Sequence, residues 1–344
     1  MAETIMIGLD LAKNVFQVHG VDGAGQVVMR RQVRRAQMEK FFASLPAAVI
    51  GMEACAGAHY WARLAQRHGH EVRLMPASYV KPYVKRNKTD GRDAEAVCEA
   101  MGRPTMRFVA VKSEQQQAVL VLHRTRTLLV RQRTMLANAL RGHLAEFGIV
   151  AAQGVRGLRG LIEGVKAPCE TGVPEVARGA LLMLAGQWEA LDAKVRALEL
   201  EIVRSVRESE AARRLMAVPC VGPIIASAMV ASVADARVFR SARGFAAWLG
   251  LTPRQMGTGG KQRSGPISKQ GDRALRTLLI IGASAKLRQE VARGVSDPWL
   301  RDLLARRPRK VATVALAAKT ARIIWAMLAT GEEYRARARG PAAA

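Results

Sequence analysis

The sequence predicts an α/β domain at its N-terminal end, a middle built on long helices and a mainly α remainder. Three observations carry this: short apolar or alternating runs up to residue 75, heptad-spaced leucines from residue 113, and glycine-punctuated helical stretches beyond 210. Residues 4–11 are a short apolar run rich in β-formers, read as a buried strand ending in Gly8-Leu9-Asp10. Residues 14–21 alternate and predict a second strand. Asp22-Gly23 signals a turn and residues 26–33 a third strand, which together make an antiparallel meander. Residues 35–45 predict a helix with Met38, Phe41, Phe42 and Leu45 on one face. Residues 47–52 read as another buried strand, ending at Glu53, followed by a helix over 57–68 and a strand over 71–75. The basic segment 81–88 then leads into a helix beginning near Asp90. Three strands in hairpin order followed by alternating helix and strand are the pattern of a ribonuclease H-like domain.

From residue 113 to 147, Leu122, Leu129 and Leu136 repeat every seven residues, with Arg124, Arg126, Arg131, Arg133 and Arg141 on other faces. A second segment carries Leu184, Trp188, Leu191, Val195, Leu198 and Ile202 in alternating steps of four and three. This is the seam of a coiled coil, formed either between the two helices of one subunit or between subunits. Residues 148–179 are glycine-rich and contain Pro168 and Pro174, so they read as a loosely ordered connection with at most short helices. Beyond 210, Val218-Pro219-Cys220-Val221-Gly222-Pro223 predicts a helix-hairpin-helix-like turn offering backbone N–H groups to a phosphate, with Cys220 where such turns usually have glycine. An amphipathic helix containing Trp248 follows, then a basic, hydroxyl-bearing loop over 257–265, and an apolar core helix over 312–328. The expected domains are 1–110, 111–210 with the connection near 148–180, and 211–335, leaving 336–344 as a disordered tail.

The chain has 344 residues, with 54 Lys and Arg against 28 Asp and Glu, a formal charge of +26. Such an excess points to a polyanionic partner, DNA, RNA or both. No basic block stands beside a long apolar helix, no run reaches the length of a membrane span, and no N-terminal stretch reads as a signal peptide. The four cysteines are scattered, without zinc or disulfide spacing, and fit reduced thiols in a cytoplasmic, nucleoid-associated protein. The six histidines form no ligand pattern.

Against this basic background four acidic residues stand out. Asp10 lies on the first strand, Glu53 ends a later one, and Asp90 and Asp93 share one face of the closing helix. Taken singly, the last two could cap a helix and favour its dipole. As a set on strand, strand, helix and helix, they suit hard divalent cations: two Mg2+ ions about 4 Å apart, each stabilising one oxygen of an in-line phosphoryl displacement. Lys81, Lys85, Arg86 and Lys88 would hold a phosphate backbone beside them. In the C-terminal loop Lys261 and Arg263 are the cations and Thr258 and Ser264 the hydroxyls, with Arg254 and Lys269 flanking.

Three separated motifs converge on one resemblance. Ile7-Gly8-Leu9-Asp10-Leu11-Ala12-Lys13, Met52-Glu53-Ala54 and Lys88-Thr89-Asp90-Gly91-Arg92-Asp93-Ala94 resemble the DEDD signature of the insertion-sequence one-ten transposase family, and residues 10–22 look most like its eleven-eleven branch. Phe245-Ala246-Ala247-Trp248-Leu249-Gly250-Leu251-Thr252-Pro253-Arg254, with Ile267-Ser268-Lys269-Gln270-Gly271-Asp272, resembles that family's second conserved domain. The resemblance implies a RuvC-like domain, a coiled coil and a transposase domain acting on donor and target DNA. It implies a recombinase guided by a structured bridge RNA and assembled as a tetramer of two dimers, with composite sites shared between subunits. It also implies Mg2+ on Asp10, Glu53, Asp90 and Asp93, and a serine that forms a covalent 5′-phosphoserine intermediate. Here the sequence departs: Thr258 stands at the serine's aligned place, with Gly257 before it. Thr258 is the expected nucleophile and Ser264 the fallback, the remaining alternative being a copy impaired in cleavage that still binds nucleic acid.

Three other readings compete. In a junction-resolving nuclease, water attacks and the C-terminal hydroxyls only position DNA. A sugar-kinase-like ATPase also opens with a Gly-Leu-Asp strand and a hairpin, but it needs a second phosphate loop of the Asp-x-Gly type on a later hairpin, for which no suitably placed stretch exists, and the charge opposes it. In a non-enzymatic RNA chaperone the carboxylate set would be an accident.

Overall fold

The computed structural model describes residues 5–85, 89–167 and 172–335. The described chain divides into two compact units. One comprises the chain up to Gln117 with Ala231–Trp248 and Ala321–Glu332; the other comprises Ala118–Val230 and Leu249–Thr320. The predicted tail, 336–344, lies outside the described residues.

The first unit is built on a sheet of five strands: β1 (Ile5–Asp10), β2 (Val15–Val21), β3 (Val27–Arg34), β4 (Ala48–Glu53) and β5 (Glu71–Met75). Their order is β3-β2-β1-β4-β5. The first three are antiparallel, and β4 and β5 continue the sheet parallel to β1. Helices α1 (Met38–Ser44) and α2 (Ala58–Arg67) supply the crossovers. On their side of the sheet Ile7, Leu9, Phe16, Val18, Val33, Phe42 and Trp61 form one core. A short α3 (Ala77–Val80) precedes α4 (Asp90–Met101), whose Ala96, Val97, Ala100 and Met101 pack with Val49 and Met75 on the opposite face. Residues of β1 therefore alternate: Ile7 and Leu9 toward α1 and α2, Met6, Gly8 and Asp10 toward α4. Residues 48–52 of β4 are all buried, as a strand covered on both faces requires.

In the second unit α5 (Glu114–Ala145) and α7 (Glu175–Glu208) pair within one chain. Arg126 meets Glu199 at 2.5 Å and Arg133 meets Asp192 at 2.6 Å. Asp192 is buried; burial alone would raise its pKa, but hydrogen bonds from Arg196 and Arg133 outweigh that and hold it below the usual range. Within the connection expected over 148–179 to hold at most short helices, the described residues include the twelve-residue helix α6 (Val155–Lys166), and α7 already begins at Glu175, while 168–171 lie outside the described residues. Leu158, Leu161, Ile162 and Val165 of α6 join Leu140, Leu144, Leu181 and Trp188 in a core. Its apolar residues keep helical spacing, and burial of that face outweighs the low helix propensity of Gly157, Gly160 and Gly164.

After α7 come α8 (Glu210–Leu215), α9 (Pro223–Ser232) and α10 (Ala242–Trp248). Cys220, in the turn before α9, has φ +76°, a conformation that favours glycine. The expected loop over 257–265 is a β-hairpin, β6 (Pro253–Thr258) and β7 (Lys261–Ile267). Its two-residue turn is Gly259-Gly260, with φ +56° and +77°. A Gly-Gly pair satisfies the positive φ values that a tight hairpin turn needs, and the flanking residues then pair as strands. Helices α11 (Arg273–Arg293), α12 (Pro298–Arg306) and α13 (Arg309–Thr330) complete the chain. Against the expectation that no run reaches the length of a membrane span, α13 is long and apolar enough by length and composition. Ala312, Leu316, Ala317, Thr320, Ala321 and Ile324 along it are buried in the protein, which accounts for its apolar character.

Candidate active site

The site is assembled by two glycines. Gly8 of β1 and Gly51 of β4 are register partners, so they lie side by side on the face that α4 covers. A Cβ on Gly8 would stand 2.2 Å from the Ala94 carbonyl oxygen and 2.6 Å from the Cys98 nitrogen. On Gly51 it would meet the Met101 sulfur at 2.8 Å. The two missing side chains let the helix backbone rest on the sheet, which is the usual meaning of a glycine inside a buried strand. Cys98 of α4 secures the contact through its thiol, which donates to the Met6 carbonyl at 3.6 Å.

That close packing carries the first turn of α4 to the end of β1. Asp10, Asp90 and Asp93 each place an oxygen within 4.8 Å of the others. Asp10 and Asp93 are half-buried and Asp90 is exposed, so the cluster opens to solvent on one side. Thr89 occupies the helix N-cap without a side-chain cap bond, so Asp90 does not serve as the cap. Glu53 stands at the end of β4, one residue beyond the Leu9–Met52 pair and beside the Asp10 end of β1. Its carboxylate lies outside the three-residue cluster. Three hard oxygen donors at this spacing repel one another unless a cation lies among them, so the donor set fits a divalent ion such as Mg2+. Next to them the Cys55 thiol is pushed up, first by partial burial, then by the Glu53 charge and more weakly by Asp10.

Of the expected nucleic-acid contacts near this cluster, Lys85 donates to Glu95 of α4 at 2.5 Å and ties the preceding loop to the helix. That bond is the main reason the Glu95 carboxyl is held low. Arg86 and Lys88 lie outside the described residues.

On the hairpin, Thr258 pairs with Lys261, Met256 with Arg263 and Gln255 with Ser264. Strand alternation therefore puts Thr258, Lys261 and Arg263 on one face and Ser264 with Gln255 on the other. Both hydroxyls are exposed. Arg254 donates to the Ser268 carbonyl at 3.2 Å. Lys269 has φ +56°, and its N–H donates to the Gly250 carbonyl, so its backbone is part of the turn that leads to α11. Arg276, buried, donates to the carbonyls of Leu249 and Gln270 and fastens the same turn. Sequence reasoning missed Gly8, Gly51 and Arg276. The glycines had a signal, each interrupting an apolar strand, whereas the arginine is one of many in the chain.

Comparison with known proteins gives two family matches. Residues 7–149 match a DEDD-type model described as Transposase, and residues 212–301 match the model described as Transposase IS116/IS110/IS902 family. A protein of Pseudomonas aeruginosa named "Probable family 20 transposase" is 52% identical, over 96% of this chain and 98% of its own. "Transposase for insertion sequence element IS1111A" of Coxiella burnetii is 39% identical, over 97% and 92%. "Transposase for insertion sequence element IS1328" of Yersinia enterocolitica is 38% identical, over 97% and 99%.

Proposed function

The chain belongs to the IS116/IS110/IS902 family of transposases, whose work is DNA transposition, and from that premise we propose that it is a metal-dependent DNA recombinase with a hydroxyl nucleophile. The convergence of Asp10, Asp90 and Asp93 within 4.8 Å is the observation that carries this reading. The strand order β3-β2-β1-β4-β5, with carboxylates at the end of β1 and on α4, is consistent with a ribonuclease H-like nuclease domain of the RuvC type.

Asp10, Asp90 and Asp93 would hold Mg2+, with Glu53 joining from β4 as the fourth carboxylate of the set. The ions, when bound, supply positive charge against which negative charge on the attacking and leaving oxygens develops. The protein's own part is to hold the carboxylates in register through the Gly8–Gly51 contact with α4. Thr258 supplies the nucleophilic hydroxyl: its oxygen forms a bond to phosphorus as the 3′-oxygen leaves, giving a 5′-phosphothreonine ester and a free 3′-hydroxyl. The face it shares with Lys261 and Arg263 favours it over Ser264, because cations there would meet the phosphodiester. The two roles reside on different units, and the reading requires only that both act on one phosphodiester. Guidance by a bridge RNA, donor and target DNA as partners and a cytoplasmic, nucleoid-associated setting complete the proposal. Assembly of dimers into tetramers is part of it too. Val121, Leu128 and Met135 support it, an exposed apolar row at heptad spacing along α5.

The test is cleavage of end-labelled DNA with Mg2+ by the full chain and its guide RNA, followed by a denaturing gel. A denaturation-resistant protein–DNA adduct that is lost in Thr258→Ala and kept in Ser264→Ala is expected. Asp10→Ala and Asp93→Ala should abolish cleavage while nucleic-acid binding persists. Cleavage without any adduct would replace the nucleophile with water, as in a junction-resolving nuclease. Cleavage retained by the aspartate variants would end the metal reading.

A further inference from the structure

Helix α4 covers only part of its side of the sheet. It packs on β1, β2, β4 and β5, and β3, beyond β2, is the edge strand. Register places which residues of β2 and β3 lie on that face of the sheet. Asp10 pairs with Gln17, which pairs with Gln32; Gly8 pairs with His19, which pairs with Arg30; and Val15 pairs with Arg34. Because alternate residues share a face, Gln17, Arg30, Gln32 and Arg34 lie on the same side of the sheet as Asp10. The charges agree with this. Burial lowers the His19 pKa first; Glu95 of α4 opposes, while Arg30 and Lys85 lower it further, so all of these groups share one neighbourhood.

The arginines of this strand divide by face. Arg31 lies over the Phe41 ring at 5.6 Å, and Arg35, just past the strand, lies over Trp61 at 5.0 Å, both on the side of α1 and α2. Those two are engaged in packing against the core. Arg30, Gln32 and Arg34 are exposed. Among the described residues the Arg30 and Arg34 side chains make no hydrogen bond or ion pair, although their backbones pair with β2. Two sheet spacings, about 10 Å, separate Asp10 from this strand. A polar, cationic shelf thus runs from the carboxylates to the sheet edge.

We propose that this shelf on β2 and β3 is a binding surface for the phosphate backbone of the DNA strand that leads into the carboxylate site, with Arg30 and Arg34 as the phosphate contacts and Gln17 and Gln32 as neutral hydrogen-bonding groups between them and Asp10. It rests on the reading of that cluster as the cleavage site. A guanidinium is suited to phosphate through its bidentate fork, and a duplex end or single strand bound here would be directed at the acidic cluster rather than repelled by it.

The experiment measures binding of a fluorescein-labelled DNA duplex of arbitrary sequence to the full chain over a range of KCl concentrations. Variants are Arg30→Gln/Arg34→Gln, Arg30→Lys/Arg34→Lys, and Arg67→Gln, an exposed arginine on α2. Mn2+ affinity of each protein is measured separately and reports the acidic cluster independently of DNA. The double glutamine variant should lower the slope of log K against log salt by about 2 and weaken binding severalfold, the lysine variant should hold the slope, and Arg67→Gln should not move it by comparison. Unchanged Mn2+ affinity with an unchanged slope overturns the shelf while leaving the metal reading intact. An equal loss in Arg67→Gln assigns the effect to bulk charge and overturns it too. Loss of affinity for an RNA duplex alone, with DNA unaffected, makes the occupant RNA and refutes the proposal as stated. Should the glutamine variant fail to fold, Arg34→Gln alone should lower the slope by about 1, and no change refutes the proposal.

Discussion

Replacing Gly8 by alanine tests whether a single absent side chain holds the acidic cluster together. The added carbon would stand 2.2 Å from the Ala94 carbonyl oxygen, whereas ordinary contact begins at 3.4 Å. The obstacle is backbone, so no rotamer change relieves it, and α4 must retreat by about 1 Å. Overpacking of this kind costs roughly 1–3 kcal/mol, which would lower the melting temperature by roughly 5 °C. The retreat also withdraws Asp90 and Asp93 from Asp10, and misplacement by about 1 Å can reduce a rate by roughly 100-fold. Gly51→Ala is the internal comparison, because its Cβ meets the Met101 sulfur, the end of a flexible side chain, at 2.8 Å. It should be milder in both melting and cleavage. Scanning calorimetry, Mn2+ titration and DNA cleavage read the two variants. Wild-type melting and cleavage in Gly8→Ala, or a worse outcome for Gly51→Ala, would refute this account of how the site is built.

Two further outcomes follow from other parts of the chain. His123, buried on α5 with its Nε2 3.0 Å from the Ser227 hydroxyl, has its pKa lowered to about 4 by burial and by Arg126. The unfolded chain therefore binds a proton that the folded chain refuses between the ordinary value near 6.5 and about 4, so stability is full above that window and falls through it by about 3 kcal/mol. Denaturant unfolding at several pH values should show this decline, and His123→Gln should flatten it. On the hairpin, Gly260→Val forces a β-branched residue into φ +77°, which should cost roughly 1–2 kcal/mol locally. The variant should lose adduct formation while keeping metal binding; full adduct yield would show that the tight turn does not matter for Thr258.

Much of the first unit was legible because its strands and helices carry their own local signals. β5 lies over the residues expected, and β1, β2 and β4 differ at their ends by a residue or so. Local pattern served less well where glycine was frequent. Glycines in α6 concealed a helix whose apolar residues were correctly spaced, and Gly259-Gly260, a hairpin signal, passed for part of a loop. The helix is stabilised by burial of its evenly spaced apolar face, and the hairpin by the positive φ values that its glycine pair adopts. Asp10, Glu53, Asp90 and Asp93 stood out in the sequence by residue type and position; that oxygens of Asp10, Asp90 and Asp93 come within 4.8 Å of one another, with Glu53 not among those three, is a matter of tertiary geometry.

What the chain determined by itself was its charge, its periodicities and the motifs that mark it as a transposase, because charge is a sum over residue types and each periodicity or motif is read within one short stretch. Tertiary structure alone decided that β1 and β4 align Gly8 with Gly51, that α4 settles on that pair, and that Arg30 and Arg34 come to share a sheet face with Asp10. These are distances between remote segments. They depend on strand register and on which atoms are missing at a contact, and neither quantity can be read from any one stretch of the chain.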